Sequence, residues 1–146
     1  VYVDGHFESS IVKSRLEPGN VAIVRTGYPG TAAVIPSTIK MANCSDLVIV
    51  KVAESLNPFY LSAFFNSPYG KRMVGGNLVG AAQQHFNVTV AKKVLIPLPS
   101  LQRQEEVANQ IHGYLSSTHQ MQANYQQELR ADSCQLARLL LNSIIC

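Results

Sequence analysis

Val94-Leu95-Ile96-Pro97-Leu98-Pro99-Ser100-Leu101-Gln102-Arg103-Gln104-Glu105-Glu106 marks the point where the chain changes character. Its first half is a short apolar run closed by two prolines, which reads as an extended, edge-type segment because proline donates nothing to a ladder. Its second half opens a stretch with no further proline and a single glycine, Gly113. Glu105 and Glu106 are expected in the first helical turn, where the helix dipole favours acids. Apolar residues then recur at Ile111, Leu115, Met121, Tyr125, Leu129, Leu136 and Leu139 or Leu140, mostly at three- or four-residue steps. A continuous helix over 101–143 would be about 60 Å long, more than one side of so small a domain covers. Its stripe requires a partner helix, and Ile111, Leu115, Tyr125, Leu129, Leu136 and Leu139 are the candidate pairing residues. Gln122 and Asp132 fall on the same seam, so a short two-helix pairing is expected and not a long regular zipper.

Upstream of that boundary the pattern is different. To about residue 56 the apolar residues form short β-branched runs separated by turn residues, as in a sheet or barrel. Val21 to Val24 follows the turn signature Glu17-Pro18-Gly19-Asn20, Thr31 to Ile35 follows Gly27-Tyr28-Pro29-Gly30, and Leu47 to Val52 follows Asn43 to Asp46. From Pro58 to Met73 the spacing turns helical, with Phe59, Leu61, Phe64 and Phe65 directed inward and an interruption at Ser67-Pro68-Tyr69-Gly70. Gly75-Gly76 is expected to end that helix and open a loop running into Gln83-Gln84-His85-Phe86-Asn87. Asn87 is an N-cap candidate for a short turn through Lys92. The reading is an α+β chain: a twisted sheet or partial barrel with short helices over 1–100, then a long coiled-coil-type helix over 101–146.

Composition bounds the function. A length of 146 residues has room for one compact domain and an appendage and is short for a two-domain enzyme, and with 47% hydrophobic and 14% charged residues there is enough apolar material for a packed core. No signal peptide and no apolar run of membrane-spanning length is legible, so the expectation is a cytoplasmic protein with no membrane partner. Cys44, Cys134 and Cys146 are read as reduced thiols, and Asn43-Cys44-Ser45 and Asn87-Val88-Thr89 as chance matches to a glycosylation acceptor. The chain opens on Val1, which reads as a piece of something longer.

Charge is unevenly distributed. Residues 1–100 carry nine Lys or Arg against five Asp or Glu, net +4, and residues 101–146 carry three against four, net −1. A positive first part favours phosphate.

Six segments could carry chemistry. Asn57-Pro58-Phe59-Tyr60 resembles the Asn/Asp-Pro-Pro-Tyr/Phe motif of amino-directed DNA methyltransferases, but the second proline is missing and no glycine-rich cofactor loop precedes it. A helix start is the expected role. Gly75 to Gly80 lacks the preceding strand and the lysine of a phosphate-binding loop. His6, His85, His112 and His119 form no ligand set, so neither metal, cofactor nor catalysis is expected. Arg25-Thr26-Gly27-Tyr28 leaves a strand with a guanidinium, a hydroxyl and an aromatic at a sharp turn. It reads either as a DNA contact, with Arg25 on a guanine edge or phosphate and Thr26 donating to phosphate, or as an ordinary strand-end turn with a paired arginine. Gln83, Gln84, His85 and Asn87 suit adenine's paired donor and acceptor, or else form a polar turn anchored by Phe86. Lys71-Arg72 and Lys92-Lys93 are phosphate-contact candidates or plain solvated surface.

Taken together, three segments resemble the specificity subunits of type I restriction-modification systems. Pro18 to Gly27 is similar to their "GD-hydrophobic-arginine-threonine-glycine" strand, with Asn20 in place of the aspartate. Ala81 to Asn87 resembles the loop before a short helix. Leu95 to Val107 resembles the proline-rich approach to the spacer helix, whose end is echoed by Leu139 to Ile144. The resemblance implies a target recognition domain on one half of a split double-stranded DNA site. It also implies helix pairing with a second repeat or a homodimer mate, and separate methyltransferase and restriction subunits as partners. Two other roles stay open: an interaction scaffold working through the helix, and the recognition part of a fused methyltransferase or nuclease.

Overall fold

The computed structural model describes residues 14–39, 42–78 and 85–144, with side chains through residue 130 except those of 77 and 78. Three strands, β1 (Val21–Val24), β2 (Ala32–Val34) and β3 (Leu47–Val50), form an antiparallel sheet in the order β2-β1-β3. Helices follow as α1 (Pro58–Asn66), α2 (Pro68–Leu78), α3 (Val88–Ala91) and α4 (Leu101–Ile144). The chain is therefore α+β, with a small sheet, short helices and a long C-terminal helix. Among the described residues no further strand extends the three toward a barrel.

Register puts one face of the sheet in the core. Val21 lies opposite Val34 and Val50, and Ile23 opposite Ala32 and Val48. Directly opposed residues share a face, so these β-branched side chains form one apolar layer. Leu61, Phe64 and Phe65 of α1, Val74 of α2, Phe86 and Val94 join it in a single cluster. Phe65 meets Phe64 and Phe86 edge-on, with ring centroids 5.6 and 6.0 Å apart. Phe59, expected inward, is exposed. Position 59 falls outside the arc of the helix set by 61, 64 and 65.

The outer edge of β2 is closed by side chains of α1. Asn66 accepts from Ala32 N–H at 3.0 Å and donates to Ala32 C=O at 2.8 Å, and Ser62 donates to the same carbonyl at 3.1 Å. An amide from a helix thus occupies the place of the missing strand.

Ser67 separates the first two helices. It accepts from Gly70 N–H and donates to Phe64 C=O. A Cβ on Gly70 would stand 2.1 Å from Phe64 O, so this close approach admits only glycine. The helix end expected at Gly75-Gly76 is not there: α2 continues to Leu78. Contacts of buried Val74 and half-buried Met73 hold the preceding turn against the core, and this outweighs the roughly 1 kcal/mol each that exposed glycines cost.

Two expectations about the 94–106 stretch are corrected. Val94 to Pro97 alternates in and out like a strand, with Val94 and Ile96 packed and Leu95 exposed, but it joins no ladder. Its anchoring comes from the Tyr60 hydroxyl, which donates to Pro97 C=O at 3.1 Å. Helix α4 starts at Leu101 behind Ser100, whose oxygens accept from Arg103 and Gln104 N–H, so Glu105 and Glu106 lie in the second turn. Close contacts divide the chain into units Val1–Ala108 and Asn109–Cys146, and the first eight residues of α4 belong to the former. Gln104 explains this. Its side chain is fully buried, accepts from Asn57 N–H at 2.8 Å, and donates to Ser55 C=O at 3.1 Å and Pro99 C=O at 2.9 Å.

Candidate nucleic-acid interface

Strand β1 ends in a turn whose backbone is held on every side. Gly27 at φ 78° lets Tyr28 N–H reach Thr26 C=O at 3.0 Å. Thr31 N–H then returns to Tyr28 C=O, closing a Tyr28-Pro29-Gly30-Thr31 turn with proline and a positive-φ glycine at its two centre positions. Gly30 N–H to Val24 C=O and Val24 N–H to Thr31 C=O tie the base of the turn to the sheet. A Cβ on Gly30 would lie 2.8 Å from a Val74 methyl, so the turn also rests on α2.

That seating brings candidate residues together. Lys71, one turn before Val74 on α2, donates from Nζ to Thr31 Oγ1 at 2.7 Å. Burial pushes its ammonium pKa down, and among the described residues no carboxylate pairs with it. Arg72 follows it, exposed. On the other side Phe86 N–H donates to Arg25 C=O at 3.0 Å, so His85 and Asn87 flank the start of the turn. Arg25, Thr26, Tyr28, Lys71 and His85 therefore belong to one end of β1. Gln83 and Gln84 lie outside the described residues.

Several of these groups already have local work. Arg25 donates from Nη1 to Ser45 C=O at 3.2 Å, and the Thr26 hydroxyl donates to the Asp46 carboxylate. Asn87 caps α3 by accepting from Val90 N–H at 3.0 Å, and Asn57 likewise caps α1, accepting from Phe59 and Tyr60 N–H. Among the described residues two buried polar atoms have no partner, Arg25 Nε and His85 Nδ1, and they fall in the two segments that the Phe86 to Arg25 hydrogen bond joins. A buried unpaired group costs about 1–3 kcal/mol, a cost more often tolerated at working surfaces than in plain scaffolding. Lys92 and Lys93 are exposed beyond α3.

Thr31, Ser45 and Asp46 enter this site without having been anticipated. Their signal is three-dimensional, because each is 20 or 40 residues from its partner. Gln104 was missed as well, although a polar residue on the Ala108 and Ile111 stripe is a readable anomaly.

Along α4 the pairing candidates lie where the periodicity puts them. Ile111 is half-buried, while Leu115, Tyr125 and Leu129 are exposed together with Tyr114 and Met121. The side chains of Leu136 and Leu139 lie outside the described ones. Cys44 carries a free thiol. Among the described residues no His, Cys, Asp or Glu cluster could hold a metal, and no helix is long and apolar enough to cross a membrane. No family of known proteins and no curated protein matches the chain.

Proposed function

We propose that this chain recognises double-stranded DNA without catalysing a reaction, as a target recognition domain and spacer helix of the type I specificity-subunit kind. The observation that carries the reading is the convergence of Arg25, Tyr28, Lys71 and His85 at one end of β1, within residues 1–100, which carry net +4 charge. Lys71 is partly stripped of water and unpaired with a carboxylate, and a phosphate oxygen would supply the missing counter-charge. Arg25 makes one contact, from Nη1, and although its Nε is buried its remaining Nη donors retain capacity for a base edge or phosphate. Asp46 works against anion binding at this end, and its engagement by Thr26 moderates that effect.

Affinity for mixed-sequence duplex should fall steeply with salt. Three neutralised phosphates give a log–log slope of about −3, and Lys71→Met should reduce it by about one without altering sequence preference. Affinity independent of salt would refute phosphate engagement.

The α4 stripe supports the second element of the reading, pairing with a helix of a second repeat or of a homodimer mate. Leu115→Asp with Leu129→Asp should abolish self-association in sedimentation equilibrium while the melting of unit Val1–Ala108 stays unchanged. Unaltered association would remove this face as the pairing surface. The methyltransferase and restriction subunits belong to the reading through the resemblance, and a cytoplasmic location through the sequence expectation. If the parent self-associates through this face and does not bind duplex at low salt, the scaffold role replaces it.

A further inference from the structure

Among the described residues Tyr28 is the most exposed of the large hydrophobic side chains, at 84%. Exposed apolar side chains scattered singly need no explanation, but this one differs from its counterparts. Tyr114 and Tyr125 sit on the periodic stripe of α4, and Tyr69 leans edge-on against Phe64 at 5.9 Å. Tyr28 stands at a turn where both its own N–H and its own C=O are hydrogen bonded, to Thr26 and Thr31. Proline follows it, and Gly30 seats the turn on Val74. Its ring is thus presented on a fixed backbone, at a low entropic cost of ordering on contact. Among the described residues its hydroxyl makes no hydrogen bond. A cation stands at the foot of the turn through the Lys71 to Thr31 contact.

From this we infer that Tyr28 is a stacking finger, a rigid aromatic that inserts against an opened base step of duplex DNA while Lys71 holds the adjoining phosphate. The inference rests on the DNA-binding reading above and adds to it a mode of engagement and the residue responsible. A π-face stacks on any base, so the finger contributes affinity through local deformability of the duplex and not through a base-edge code.

The chain contains no tryptophan, so Tyr28→Trp places a single indole reporter at the tip. The Tyr28→Trp chain titrated with a mixed-sequence duplex at low salt should show strong quenching of its emission at saturation. Tyr28→Ala should weaken binding about 10-fold with an unchanged salt slope and unchanged melting temperature, and Tyr28→Phe should bind like the parent. A duplex of the same sequence carrying one central mismatch should bind the parent more tightly than the intact duplex, a preference that Tyr28→Ala erases. Emission unmoved at saturating DNA, or Tyr28→Ala binding as tightly as the parent, overturns the finger and leaves DNA binding standing. Absence of duplex binding by the parent overturns both.

Discussion

Phe86→Ala is expected to lower the unfolding free energy by about 3–5 kcal/mol and the melting temperature by on the order of 10–20 °C. Phe86 is completely buried, meets Phe65 edge-on, and belongs to the cluster that α1, α2 and the sheet share. Truncation removes its transfer energy and leaves a cavity that short, clamped elements cannot collapse into. Function should suffer too, because the Phe86 N–H to Arg25 C=O bond and the buried ring together seat His85 beside the β1 turn. Phe86→Leu, which keeps most of the volume, should cost about 1–1.5 kcal/mol and leave duplex affinity near that of the parent. Thermal melts and duplex titrations of both variants below their transitions check the two effects separately. A Phe86→Ala melt within 3 °C of the parent would mean that the residues around 86 do not depend on this anchor.

Gln104→Leu is the second change with a large expected effect, about 3 kcal/mol of lost stability. Leucine fills the same space, so the loss isolates hydrogen bonding: Asn57 N–H, Ser55 C=O and Pro99 C=O are all left without their partner. Gln104→Glu gives a sharper signature. The carboxylate keeps the acceptor for Asn57 but faces two carbonyls and carries a buried charge, so its pKa should rise above the unfolded value. A group whose folded pKa is raised contributes stability below that pKa and loses it as pH rises through it. Gln104→Glu should therefore be less stable than Gln104→Leu at pH 7 and recover toward pH 4, relative to the parent at each pH. Chemical denaturation at the two pH values checks this, and a Gln104→Glu stability difference that ignores pH would contradict the buried amide.

The two variants probe what the sequence made legible and what it did not. Strand positions were readable because β-branched runs bounded by Pro-Gly and Asn-Cys-Ser-Asp turns have few other solutions, and β1 and β3 begin where the turns end. The α1 start at Asn57-Pro58, the α3 cap at Asn87 and the length of α4 were readable for the same reason: the signals are local. Gly75-Gly76 was misread because propensity is a weak local preference, and Val74 in the core overrides it. The acids at 105 and 106 suggested a helix start, yet Ser100 supplies the cap and burial of Gln104 requires that the helix already be formed there.

At the candidate interface, residue types were legible and their company was not. Arg25, Thr26 and Tyr28 stand out as a strand-end turn, but nothing local says that Thr26 is engaged by Asp46 or that Lys71 reaches Thr31 across 40 positions. By itself the sequence determined the elements, their α+β order, the polarity of charge and the apolar periodicity of α4, since these follow from backbone sterics and from spacing along the chain. Only the tertiary structure decided which side chains meet at the end of β1 and which polar atoms are buried, because those depend on how short elements pack across gaps in sequence that no local preference spans.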